Sequence, residues 1–213
     1  MRRFWNMKIL LTAFDAFGDD TLNSSSEALD ALWLPQETAS LVKLKLPTVF
    51  GKAARLLTDA IDEHKPDAVL CIGQAAGRAA VTIERVAINI MDARIADNEG
   101  FKPVDVPIEA DGPAAYFATV PIKAMVKAIC GAGIAAEISN IAGTYVCNSL
   151  LYGALHYIFV NSLPVRAGFI HVPCIPGQTE GADKKTPVME KELIVRAIET
   201  AVRVISDTEK NFD

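Results

Sequence analysis

The sequence predicts an α/β fold: a single-domain, three-layer α/β/α arrangement around a mostly parallel central sheet. Three observations carry this. Short apolar runs alternate with amphipathic stretches almost from end to end, the rhythm of repeated strand–helix units. The clearest apolar runs, residues 7–13 and 67–72, are nearly continuous, as strands covered on both faces are. No linker, internal repeat or low-complexity segment interrupts the 213 residues, a length that suits one large domain.

In chain order, residues 7–13 form the first buried strand, so the domain spans 7–213 and residues 1–6 are an N-terminal extension. The basic pair Arg2-Arg3 is not followed by a separate apolar stretch and a small-residue cleavage site, so it does not read as a secretory signal. Residues 24–34 are helical, with Ser24, Ser25 and Ser26 as caps ahead of Glu27. Residues 40–46 alternate apolar and polar, a strand. Residues 51–64 place Ala54, Leu57 and Ile61 at helical spacing and stop before Pro66. Residues 67–72 are a buried strand closed by Gly73, and 81–90 are extended. Residues 92–112 are polar and rich in Asp and Pro; so long an excursion inside a domain is functional or interfacial. A helix over 121–132 has Pro121 at its first turn and Gly131 and Gly133 at its end. A short strand (137–140), a helix (148–159), a strand (167–172) and a long helix (185–206) complete the order.

Composition narrows the function. With 51% hydrophobic and 22% charged residues, the chain is neither disordered nor a Cys-dense scaffold. The net charge of −5, with both signs interspersed, lacks the basic patch of a nucleic-acid binder. The mean hydropathy of +0.24 is high, yet no apolar run approaches the ~20 residues of a membrane span. The apolar surplus is assigned to the buried sheet and a subunit interface. Cys71, Cys130, Cys147 and Cys174 show no C-x-x-C spacing, which points to a reducing cytoplasm rather than a disulfide framework or a zinc site.

Three segments place reactive residues at strand ends, where α/β sheets carry their sites. Cys147, in Gly143-Thr144-Tyr145-Val146-Cys147-Asn148-Ser149, lies at a helix start. There free N–H groups and the macrodipole favour a thiolate and can receive an oxyanion; the alternative is a small buried hydrophobe. His171 ends a buried strand before Pro173 and is the best-placed base, because His64 and His156 fall within helical stretches. Glu84 stands in an apolar run, so it requires a partner. Either it pairs with Arg78 or Arg85, or it orients His171. Cys174 is the rival nucleophile, without a helix start to activate it. The loop Gly73-Gln74-Ala75-Ala76-Gly77-Arg78 has neither phosphate-loop ending.

Together these segments resemble the pyroglutamyl peptidase I (pyrrolidone-carboxylate peptidase) family of cysteine peptidases. The matching blocks are Phe14-Asp15-Ala16-Phe17-Gly18, Leu46-Pro47-Thr48-Val49-Phe50, Gly73-Gln74 with Gly77-Arg78, and Glu84-Arg85-Val86-Ala87-Ile88-Asn89. They continue through Asp92-Ala93-Arg94-Ile95, Asp97-Asn98 and Asp111-Gly112-Pro113-Ala114-Ala115-Tyr116, and end on Gly143 to Asn148 and Gly168 to Pro173. The resemblance covers nearly the whole chain after Met7. Ala16, Asp19, Ala76 and Cys174 depart from the family pattern.

The resemblance implies removal of an N-terminal pyroglutamyl residue from peptides through a thioester. Cys147 would be the nucleophile, His171 the base and acid, and Glu84 the third triad member. It places Phe14 and Phe17 as walls of a neutral pocket, Gln74, Val146, Asn23 and Thr48 as hydrogen-bonding contributors, and the Cys147 N–H with Arg94 at the oxyanion. It implies no cofactor, no metal, and a homotetramer. Two further readings stand beside it: a phosphorylase-like nucleoside-processing α/β enzyme, and a non-catalytic oligomeric scaffold of the same fold.

Overall fold

A computed structural model describes residues 7–18, 20–178 and 186–208. The extension at residues 1–6, the departure at Asp19 and the expected helix start at Lys185 lie outside the described residues. Among the described residues, eight strands and five helices follow in the order β1 (Lys8–Phe14), α1 (Ser24–Ala31), β2 (Ser40–Leu46), α2 (Lys52–His64), β3 (Ala68–Gln74), β4 (Val81–Glu84), β5 (Val86–Ile88), β6 (Ala115–Phe117), α3 (Ile122–Gly131), β7 (Ala136–Ser139), α4 (Val146–Val160), β8 (Arg166–Val172) and α5 (Lys191–Asp207).

Six strands form the central sheet in the order β2-β1-β3-β8-β4-β7, parallel except that β4 runs antiparallel to β8. Each strand divides its side chains between two cores. Ile9, Leu11, Leu70, Ile72, Ile83, Ile170 and Val172 pack under α1, α3 and α5. Leu10, Phe14, Val69, Cys71, Ala167 and Phe169 pack under α2 and α4. This is the three-layer arrangement that the alternation of runs predicts. No helix among the described residues is long and apolar enough to cross a membrane.

The differences from expectation have local causes. The extended stretch 81–90 divides at Arg85: β4 joins the main sheet, whereas β5 pairs with β6 in a separate two-stranded sheet. Three-residue β6 is too short to carry a period. The helix expected from Asn148 begins at Val146, because Gly143 (φ 84°) turns the chain and Tyr145 enters α4 in extended geometry. The excursion 92–112 has almost no secondary structure but is held by side chains. Asn89 Oδ1 accepts from Ile108 N and Glu109 N, and its Nδ2 donates to Glu109 O and Gly112 O. Asp97 accepts from the backbone N–H groups of Phe50, Glu99 and Phe101.

Candidate active site

The carboxyl ends of β1, β2, β3 and β8 share one edge of the sheet, and the start of α4 meets them there. On β8, Ile170 and Val172 belong to the α1/α3/α5 side, so His171 faces α4. On β4, Val81 and Ile83 do likewise, so Thr82 and Glu84 face the same way as His171. In register His171 is flanked by Gly73 on β3 and Thr82 on β4.

His171 Nδ1 lies 2.7 Å from Glu84 Oε1. A carboxylate only accepts, so Nδ1 carries the proton and Nε2 is left free as a base. Arg78 Nη1 donates to the same Oε1 at 2.6 Å. Glu84 Oε1 is therefore shared between Arg78 and the His171 ring. The Glu84 side chain is fully buried, and burial alone would raise its carboxyl; the hydrogen bond and charge of His171 and the bonds of Ser139 and Arg78 outweigh it and hold the group below its usual range. Oε2 has no partner at full hydrogen-bond geometry, although Ser139 stands opposite Glu84 in the β4–β7 register. For His171, burial dominates and holds it below the ordinary 6.5, with Arg78 adding to this and Glu84 opposing it.

Cys147 is the second residue of α4. Its Sγ lies 3.1 Å from where a Cβ on Gly73 would stand, and that same Cβ would meet Phe169 Cζ at 2.8 Å. Position 73 must be glycine for the thiol and the Phe169 ring to share this space. The expectation of a thiolate at the helix start is corrected here. Burial first, and the charge of Glu84 second, push the Cys147 thiol up to about 12, against the weaker pull of Arg78 and its own N–H. The N–H at the helix start lowers it by less than desolvation raises it. Among the described residues no hydrogen bond joins Cys147 Sγ to His171. Burial thus disfavours the charged form of both groups.

The other site residues divide. Phe14 is 2% exposed and packs on Phe169, ring centroids 6.4 Å apart, with Phe169 in turn 4.6 Å from the His171 ring. It is a core residue that backs the site. Phe17 is only partly buried and meets the Tyr145 ring edge-on at 5.3 Å, beside the start of α4. Asn23 has its polar atoms engaged: Oδ1 accepts from Ser25 N and Oγ as the α1 cap, and Nδ2 donates to Asp15 O. Thr48 likewise donates through N and Oγ1 to Asp15 Oδ1 at 2.7 and 2.9 Å. Both shape the Phe14–Phe17 loop. Gln74 Oε1 accepts from Ser24 N and Gln178 Nε2. Val146, 1% exposed, is the first residue of α4. Arg94 is exposed on a loop held to the approach to α4: Asp92 N donates to Thr144 O, Thr144 Oγ1 to Asp92 O, and Tyr145 OH to Ala96 O.

Cys174 is buried in a bridge to Val188, Cys71 is fully buried under α4, and Cys130 donates to Ala136 O away from the site. His156 bonds Tyr116 OH at 2.9 Å, and His64 ends α2. The sequence reading missed the Tyr145–Phe50 ring pair (5.2 Å) behind Phe17, and Gln178, which orients Gln74. Neither carries a sequence pattern of its own. No three His, Cys, Asp or Glu side chains among the described residues gather as metal ligands.

The profile of the pyroglutamyl peptidase family matches residues 7–208. Pyrrolidone-carboxylate peptidase 1 of Caldanaerobacter subterraneus subsp. tengcongensis is 52% identical, over 93% of this chain and 98% of the relative. Pyrrolidone-carboxylate peptidase of Bacillus licheniformis is 49% identical over 96% and 95%. The crystal structure of pyroglutamyl peptidase I from Bacillus amyloliquefaciens superimposes with a TM-score of 0.92 at 44% identity, covering 96% of this chain and 97% of that one.

Proposed function

This chain belongs to the pyroglutamyl peptidase family, and from that premise we propose that Cys147, His171 and Glu84 are the residues that carry its chemistry. The chain is a cysteine peptidase that removes N-terminal pyroglutamate, which sets aside the phosphorolytic and scaffold readings. The 2.7 Å His171–Glu84 bond on the sheet face that meets Cys147 is the observation that carries the assignment.

As the Cys147 sulfur attacks the pyroglutamyl carbonyl, its proton passes to His171 Nε2. Glu84 keeps the proton on Nδ1 and stabilises the imidazolium that forms. The oxyanion is met by the Cys147 N–H at the head of α4, with Arg94 from the adjoining loop. The imidazolium then protonates the leaving amine, and the same imidazole activates the water that hydrolyses the thioester. The neutral lactam lies against Phe17 and the loop backed by Phe14, with main-chain groups of Gln74 and Val146 as its hydrogen-bond partners. Asn23 and Thr48 hold that loop through Asp15 rather than touching substrate.

A cytoplasmic setting and a homotetramer belong to the same proposal. They are supported by four free cysteines and by the apolar Phe101, Val104 and Val106 exposed along the excursion. The test is fluorophore release from pyroglutamyl, prolyl, glutaminyl and glutamyl amides. The last three bring a charged amine, and a prolyl ring also leaves the lactam carbonyl partners unpaired, which discriminates by about four orders of magnitude. Prolyl amides cleaved within tenfold of pyroglutamyl ones would contradict the pocket.

A further inference from the structure

Arg78 is bonded to the catalytic carboxylate, and the mechanism above gives it no task. Its Nη1 donates to Glu84 Oε1 at 2.6 Å and also to Thr82 Oγ1, the residue opposite His171 in the β4–β8 register. Its Nη2 donates to Ile141 O at 3.3 Å, on the turn that runs through Gly143 into the head of α4. A single planar guanidinium thus touches the strand bearing Glu84, the oxygen that holds His171 and the turn that presents Cys147. The Arg78 side chain is 29% exposed and Glu84 is at 0%, so this is a half-buried clamp rather than a surface pair.

We propose that Arg78 is a positioning residue for the triad, which aligns Glu84 with His171 through a shared oxygen and ties that pair to the turn before Cys147. The inference rests on the triad assigned above. Without Arg78, Oε1 keeps one donor and the carboxylate is free to rotate, so His171 loses its fixed orientation. Lysine cannot replace it, because a point charge on a flexible stem does not reach three acceptors in one plane.

Charge gives the clamp a readout that a merely structural arginine lacks. The charged groups acting on His171 are Glu84 from β4 and Arg78 from the β3–β4 loop. The thiols on the same face, Cys71 from β3 and Cys147 from α4, are both pushed up to about 12 and stay neutral. Removing the Arg78 cation raises the proton affinity of His171 in two ways: a repulsive charge is gone, and Glu84 is no longer shared.

The experiment is kcat/KM against pH on a pyroglutamyl amide for wild type, Arg78→Gln, Arg78→Lys and Cys147→Ser. Arg78→Gln should lower kcat by about 10- to 100-fold with KM within twofold, and move the acid limb up by about one pH unit. Arg78→Lys should lower kcat similarly while the acid limb stays near the wild-type position. A wild-type kcat and acid limb in folded Arg78→Gln, or a loss confined to KM in either variant, overturns the inference. An active Cys147→Ser enzyme instead overturns the triad itself, so the two failures are told apart.

Discussion

Under α1, α3 and α5, the strand residues Ile9, Leu11, Leu70, Ile72, Ile83, Ile170 and Val172 meet Ile194, Ile198, Val202 and Ile205 of α5, all fully buried. Under α2 and α4, neighbouring residues of the same strands are Thr12, Cys71, Gly73, Thr82, Glu84 and His171. The first face is apolar apart from Arg166 at the start of β8, whose Nη2 donates to Ile205 O. The other buries a carboxylate and an imidazole, desolvates a thiol and keeps a glycine where a side chain would meet both the Phe169 ring and the thiol. The period of two in a β-strand makes this division possible, since adjacent residues meet different solvents. Changes on the apolar face should therefore alter stability and spare the chemistry, and changes on the other face should do the reverse.

The largest expected effect is on the α4 face. Cys147→Ser should reduce kcat on a pyroglutamyl amide by about 10⁴-fold or more in a folded protein, whereas Cys174→Ser should keep most of it. Equal losses would erase the distinction between a thiol beside Gly73 and one in the Val188 bridge. Next, Glu84→Gln should lower kcat by on the order of 10² to 10⁴-fold, because the amide can accept the Nδ1 proton but cannot stabilise imidazolium. Wild-type turnover in this variant would reduce Glu84 to a partner of Arg78. On the apolar face, Ile198→Ala should cost about 2–5 kcal/mol in denaturant unfolding and leave kcat per folded molecule within twofold. A large kcat loss there would mean that the two faces are coupled.

The smallest effect is a matter of pH. His171 must be neutral to accept the thiol proton, and burial holds its proton affinity below the ordinary value of 6.5. The acid limb of kcat/KM should accordingly lie below pH 6.5, with activity lost only as pH falls through that lowered value. An acid limb above 6.5 would show that Glu84, not burial, dominates the imidazole.

Strand and helix order was legible because the period of two and the near-continuous apolar runs are local properties. Cys147, His171 and Glu84 were legible as strand-end and helix-start residues, but their convergence was not, since it depends on β8 lying between β3 and β4. Arg78 was readable only as a possible ion-pair partner of Glu84; its bond to Ile141 O spans 63 residues and follows from tertiary structure alone. The thiolate expected of Cys147 failed for a related reason. Helix position is written in the sequence, whereas desolvation depends on what packs above it, here Phe169 and Gly73. Asn23 and Thr48 have side chains suited to binding a lactam; the bonds they make to Asp15 and Ser25 follow from tertiary structure and carry no sequence pattern.

The central claim is that the acyl group passes through Cys147. Rapid quenching of the enzyme with a pyroglutamyl ester, followed by mass spectrometry of its proteolytic peptides, tests it most directly. One pyroglutamyl group should appear on the peptide that contains Cys147, disappear on the timescale of turnover, and be absent from Cys147→Ser. An acyl group on Cys174, or turnover that persists in Cys147→Ser, would contradict the account.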